Sequence, residues 1–77
     1  MEEKKYEAIV EAILFTMGES VELERIAKTL ELDTERTKKI IEHLMQRYED
    51  DGQRYTDVYV NAYMLMYLTM TRLKNGV

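Results

Sequence analysis

The first fifty residues carry apolar side chains at intervals of three and four, which is the spacing of one face of an α-helix. This pattern predicts helices over about residues 2–17, 22–31 and 34–50. Gly18 is a residue type that ends helices, and Asp33 is one that begins them by accepting hydrogen bonds from the first turn. The inward stripes predict a buried core that includes Ile13, Leu14, Ile26, Leu30, Ile40 and Leu44.

The second and third predicted helices form a pair joined by a short corner at Leu32. Ala27, in the stripe of the second helix, is small enough to let the third helix approach closely. Two short helices that meet at such a corner are typical of a helix-turn-helix.

After residue 50 the apolar period changes from about four residues to two. Residues 54–60 and 63–71 are rich in aromatic, β-branched and other apolar side chains, as strands are. Asn61 and Ala62 between them suit a two-residue turn. The pattern therefore predicts an antiparallel β-hairpin, and with the three helices it predicts an α+β, mainly α-helical winged-helix fold.

The predicted hairpin is apolar on both faces, and only one face can cover the helices. Because small proteins rarely leave a large apolar patch in water, we expect the other face to bind a partner or a second copy. A hairpin covered on both faces within one monomer is the alternative, although little chain remains to cover it. The predicted contact residues, in a symmetric homodimer joined through the wings, are Tyr59, Met64, Met66, Tyr67, Leu68 and Met70.

The third predicted helix carries a basic stripe at i, i+3, i+7 and i+11, formed by Arg36, Lys39, His43 and Arg47. One interpretation is a recognition helix that contacts DNA phosphates. The other is an ordinary solvated face, since acidic residues interrupt and flank the stripe. The net charge of −4 favours nucleic-acid binding that is weak or absent.

Composition narrows the remaining function classes. A chain of 77 residues predicts one domain, and the absence of cysteine together with a single histidine predicts no metal site. No Ser/His/Asp grouping and no phosphate-binding glycine loop is present, so we expect neither an enzyme nor a cofactor. No signal peptide and no membrane-spanning run is visible, so we expect a cytoplasmic protein.

Specific segments also resemble a known family. The segments are Ala8–Phe15, Gly18-Glu19, Val21–Ala27, Leu32-Asp33 and Arg47–Gly52. Together they resemble the first module of segregation and condensation protein B, well over about residues 5–54 and poorly over 55–67.

The resemblance implies a non-catalytic winged-helix module that dimerises and binds a kleisin subunit of a bacterial condensin complex. It also implies a role in chromosome segregation, chromosome condensation and cell division, with nucleoid association in the cytoplasm. The poorly matching wing suggests a natural module whose wing was rewritten by design or selection. A natural fragment with a drifted wing is the alternative.

Overall fold

A computed structural model describes residues 2–50 and 57–74, with side chains described as far as Thr71. The described residues form four helices: α1 (Glu2–Met17), α2 (Leu23–Leu30), α3 (Thr34–Asp50) and α4 (Asp57–Lys74). The bounds of α1, α2 and α3 lie within one residue of the predicted ranges.

Local hydrogen bonds set the C-terminal end of α1 and the N-terminal start of α3. Gly18 adopts φ +67°, and its N–H donates to the carbonyl of Leu14 at 2.9 Å, which closes α1. The carboxylate of Asp33 accepts a hydrogen bond from the backbone N–H of Arg36 at 2.7 Å. Both residues therefore act as the sequence predicted.

The corner between α2 and α3 turns without a glycine. Glu31 adopts the left-handed conformation, with φ 60°, and its N–H donates to the carbonyl of Lys28 at 3.1 Å. The next N–H, of Leu32, donates to the carbonyl of Ala27 at 3.0 Å. These bonds satisfy the last carbonyls of α2 while the chain reverses into α3.

The predicted β-wing is wrong. Residues 57–74 form one continuous helix, α4, and neither 2–50 nor 57–74 contains a strand. Asn61 and Ala62, the predicted turn, lie inside that helix, while residues 54–56 of the first predicted strand lie outside the described residues.

Tertiary packing explains why α4 is a helix. Ala62, Leu65, Met66 and Thr69 are all buried and lie at i, i+3, i+4 and i+7, the spacing of one helical stripe. This stripe packs over the other elements, and α4 contacts α1, α2 and α3. A two-residue alternation would have divided the same side chains between two faces.

The core lies where the four helices meet. Leu14, Ile26, Leu30, Ile40 and Leu44 are buried as predicted, whereas Ile13 is only partly buried. Val10, Ile41 and Met66 have no exposed surface, so α1, α3 and α4 each supply a side chain to the centre.

A buried hydroxyl fixes α4 to the segment before α2. The Thr69 hydroxyl lies 2.9 Å from the carbonyl oxygen of Val21 and 3.0 Å from that of Leu65. The residue is 2 % exposed, so no water competes for these contacts. Helix α4 is thus attached by a directional contact as well as by apolar packing.

Candidate interaction surfaces

The side of α4 that faces away from the core is apolar. Val60, Met64, Tyr67 and Leu68, here called the α4 outer face, lie at i, i+4, i+7 and i+8 and are 42–56 % exposed. No charged residue occurs from Val58 to Thr71. A surface helix usually carries its charged residues on this side, so α4 departs from the ordinary amphipathic pattern.

A shallow groove runs along α4 on the side of α1 and extends the same apolar surface. It has a volume of about 560 Å³. Its lining comprises Leu14, Phe15, Gly18, Asp57, Val58, Val60, Asn61, Met64 and Leu65. Phe15 is 45 % exposed and contacts the ring of Tyr59 edge-on, with the ring centroids 6.4 Å apart. The ring of Tyr59 also contacts that of Tyr48, at 5.3 Å.

The helix redistributes the residues that were predicted to form the contact surface of the hairpin. Met64, Tyr67 and Leu68 lie on the α4 outer face, and Tyr59 is exposed beside the groove. Met66 is fully buried and Met70 is partly buried against the core, so the predicted exposure of these two side chains is wrong. Consecutive helix positions are rotated by about 100°, so residues two apart point to nearly opposite sides.

Strand-based reasoning also left out exposed apolar side chains. Val60 belongs to the α4 outer face, and Phe15 and Met17 are exposed near the end of α1. A helical template applied to residues 58–71 would have placed Val60 with Met64, because they lie one turn apart.

Polar contacts join α1 to α3 along a second surface, here called the α1–α3 seam. Glu3 pairs with His43, Glu7 pairs with Arg47, and the hydroxyl of Tyr48 donates to Glu11. The three glutamates follow one another at four-residue intervals, so each lies one helical turn beyond the last. Glu7 is only 4 % exposed, and the guanidinium of Arg47 compensates its buried charge.

The predicted basic stripe is thereby divided. His43 and Arg47 contact carboxylates of α1, whereas Arg36 and Lys39 are exposed and form no ion pair with the described residues. The hydrogen bond from Glu3, followed by the charge of Glu3, raises the pKa of His43 above its ordinary value. DNA contact by this stripe stays a prediction.

The described residues offer little for metal or membrane chemistry. No group of three or more His, Cys, Asp or Glu side chains among them is arranged to hold a metal ion. None of the helices in the described part of the chain has both the length and the apolar character needed to cross a membrane.

The third contact of the α1–α3 seam, between Tyr48 and Glu11, also affects a pKa. Burial, followed by the hydrogen bond to Glu11, raises the pKa of Tyr48, so its phenol stays protonated as the donor.

Comparison with known proteins assigns the chain to a family. The family described as "Segregation and condensation complex subunit ScpB" matches residues 8–72. The chain belongs to this family. The match extends through α4 almost to its end and thus includes the segment that the sequence suggested had been rewritten. That hypothesis compared the segment with a hairpin, and the structure has a helix there.

Three curated relatives of the chain are named segregation and condensation protein B. The relative from Lachnoclostridium phytofermentans is 61 % identical over 51 residues, which are 66 % of this chain and 27 % of the relative. The one from Agathobacter rectalis is 56 % identical over 47 residues, 61 % of this chain and 25 % of the relative.

A more distant relative, from Clostridium acetobutylicum, is 31 % identical over 62 residues, 79 % of this chain and 31 % of the relative. The chain thus spans between a quarter and a third of the length of the curated relatives it matches. No solved structure matches the chain significantly.

Proposed function

We propose that this chain is a non-enzymatic protein-interaction module of a chromosome segregation and condensation complex, and that it self-associates through the α4 outer face. The observation that supports this proposal most is the uncharged, exposed apolar surface of α4 in a chain that matches the family as far as residue 72. The family description supports the role in segregation and condensation, and the apolar surface of α4 supports self-association.

The chemistry of the α4 outer face favours a second copy as its occupant. A partner with charged groups would have to bury them against a surface that offers no compensating charge, which is costly. A second α4 instead brings Met64 and Leu68 against their own counterparts across a two-fold axis. Methionine side chains adapt to such irregular apolar contacts, and tyrosine is enriched in interfaces.

The proposal includes a second partner and a location. The resemblance of the sequence implies binding to a kleisin subunit, and we propose that the dimer is the form that binds it. A nucleoid-associated, cytoplasmic location follows from the same resemblance. Titration of the unmodified chain with a purified kleisin subunit, followed by calorimetry, tests this part directly.

Sedimentation equilibrium from about 1 µM to about 500 µM tests self-association. We expect the unmodified chain to move from monomer to dimer over this range. The double variant Met64→Glu/Leu68→Glu should remain a folded monomer, because the two side chains lie outside the core. Circular dichroism should show the same helical content in both proteins.

A charge-matched variant separates a specific contact from general repulsion. Thr29→Glu/Thr34→Glu adds the same charge at exposed positions of α2 and α3, and it should dimerise like the unmodified chain. If the unmodified chain is monomeric at every concentration, self-association is refuted. If it dimerises and Met64→Glu/Leu68→Glu dimerises equally, the contact lies on another face.

A further inference from the structure

A small cleft lies between α1 and α3, on a different part of the molecule from the α4 outer face. It is lined by Glu3, Tyr6, Arg36, Lys39, Ile40 and His43, and its volume is about 180 Å³. This cavity, here called the α1–α3 cleft, brings together three of the four basic residues of the predicted stripe. Arg47 lies outside it, paired with Glu7.

The α1–α3 cleft has more positive than negative charge. Glu3 pairs with His43, but Arg36 and Lys39 are exposed and form no ion pair with the described residues. The carboxylate of Asp33 accepts a hydrogen bond from the backbone N–H of Arg36 but forms no ion pair with its guanidinium. Two cationic side chains one turn apart thus face a cavity with one carboxylate, which a neighbouring imidazole already engages.

The walls and the surroundings define the kind of anion that fits. Ile40 is buried and Tyr6 is partly buried, so the cleft has apolar material beside its cations. Glu35 and Glu42 are exposed on the same helix, and the whole chain carries a net charge of −4. A polyanion such as duplex DNA would approach these carboxylates, whereas one small anionic group avoids most of the repulsion.

We propose that the α1–α3 cleft binds a single carboxylate group of a polypeptide, with Arg36 and Lys39 as the contacting residues. Glu3, whose carboxylate lies in the same cleft against His43, opposes the entry of a second carboxylate by like-charge repulsion. The guanidinium of Arg36 matches the planar geometry of a carboxylate, and Lys39 adds a second charge. This proposal does not depend on self-association through α4.

The test uses N-acetyl-glutamic acid amide, which carries one side-chain carboxylate, titrated into the unmodified chain at constant ionic strength. We expect saturable NMR shifts of the backbone amides confined to residues around 36–43. Glu3→Gln should tighten binding roughly two- to five-fold, because the repulsion between Glu3 and the ligand carboxylate is removed. Arg36→Gln/Lys39→Gln should weaken binding roughly three- to twenty-fold, since the exposed ion pairs of both side chains with the ligand carboxylate are lost.

Arg25→Gln/Lys28→Gln is the matched control, because it removes two exposed positive charges from α2, away from the cleft. It should leave the affinity unchanged. Equal weakening by the control, or no tightening in Glu3→Gln, would overturn the proposal. Tighter binding of inorganic phosphate or of duplex DNA than of the blocked glutamate would overturn the assigned ligand class. Sedimentation of the same samples reports on α4 separately, so the two proposals fail independently.

Discussion

Helices α3 and α4 are of similar length, yet their surfaces follow different rules. Helix α3 buries one stripe, which includes Ile40, Ile41 and Leu44, and carries charged residues on its outer side. Helix α4 also buries one stripe but is apolar on its outer side as well. In α3, charged residues between the apolar ones reveal the helical period in the sequence. In α4, the run from Val58 to Thr71 has no charged residues, so its period is not revealed in this way.

This difference explains why the sequence predicted one helix and missed the other. An uncharged run fits a two-residue and a helical period about equally well, so the β-propensity of residues such as Val58, Tyr59 and Val60 favoured a strand. In the fold, the stripe that contains Met66 packs against α1, α2 and α3 and is buried there. Packing thus outweighs local propensity in α4, while the two agree in α3.

The largest expected effect separates the two sides of α4. Met66→Ala should lower the free energy of unfolding by about 2–5 kcal/mol, because it removes a side chain with no exposed surface. Met64→Ala removes the same atoms from the α4 outer face and should cost less than about 0.5 kcal/mol. Urea denaturation followed by circular dichroism, at a concentration where the chain is monomeric, gives both values.

The comparison fails if the two methionine variants lose similar stability. A hairpin with Met64 and Met66 on one face would give that result, since alternate strand residues share their environment. Leu44→Ala is the reference, because Leu44 lies in α3 and is only 1 % exposed. This variant should lose about as much free energy of unfolding as Met66→Ala.

The sequence could predict what depends on neighbours along the chain. The end of α1 follows from Gly18 and the start of α3 from Asp33, because the hydrogen-bond partner of each lies within four residues. The pairing of Glu7 with Arg47 joins residues 40 positions apart, and no spacing within one segment reveals it. The basic stripe was visible, but its division between the α1–α3 seam and the α1–α3 cleft required the packing of α1 on α3.

A smaller effect tests how α4 is attached. Thr69→Val keeps the shape of the side chain but leaves the buried carbonyl of Val21 without its hydroxyl partner. We expect a loss of about 1–3 kcal/mol in the free energy of unfolding. Thr71→Val is the control: among the described residues its hydroxyl contacts only the carbonyls of Tyr67 and Leu68, both in α4, and the residue is less buried. Equal losses in the two variants would mean that the contact with Val21 contributes nothing of its own.

The smallest effect concerns the α1–α3 seam, which titrates, whereas the buried stripe of α4 contains no ionisable group. Because Glu3 raises the pKa of His43 in the folded protein, the pair stabilises the fold most below the ordinary histidine pKa of 6.5. That contribution is lost as the pH rises through the folded pKa. The charged groups that act on His43 are Glu3 first, with Glu7 and Glu42 contributing less.

An NMR titration of the His43 ring measures this effect. We expect a pKa above 6.5 in the unmodified chain, a return toward 6.5 in Glu3→Gln, and a smaller decrease in Glu42→Gln. The melting temperature of Glu3→Gln should also change less between pH 5.5 and pH 8 than that of the unmodified chain. The loss caused by Met66→Ala should be the same at both pH values, since no titratable side chain replaces the methionine. If the pKa of His43 is unchanged in Glu3→Gln, the contact across the seam does not form in solution, and Glu3 is not held in the α1–α3 cleft where it could repel a carboxylate ligand.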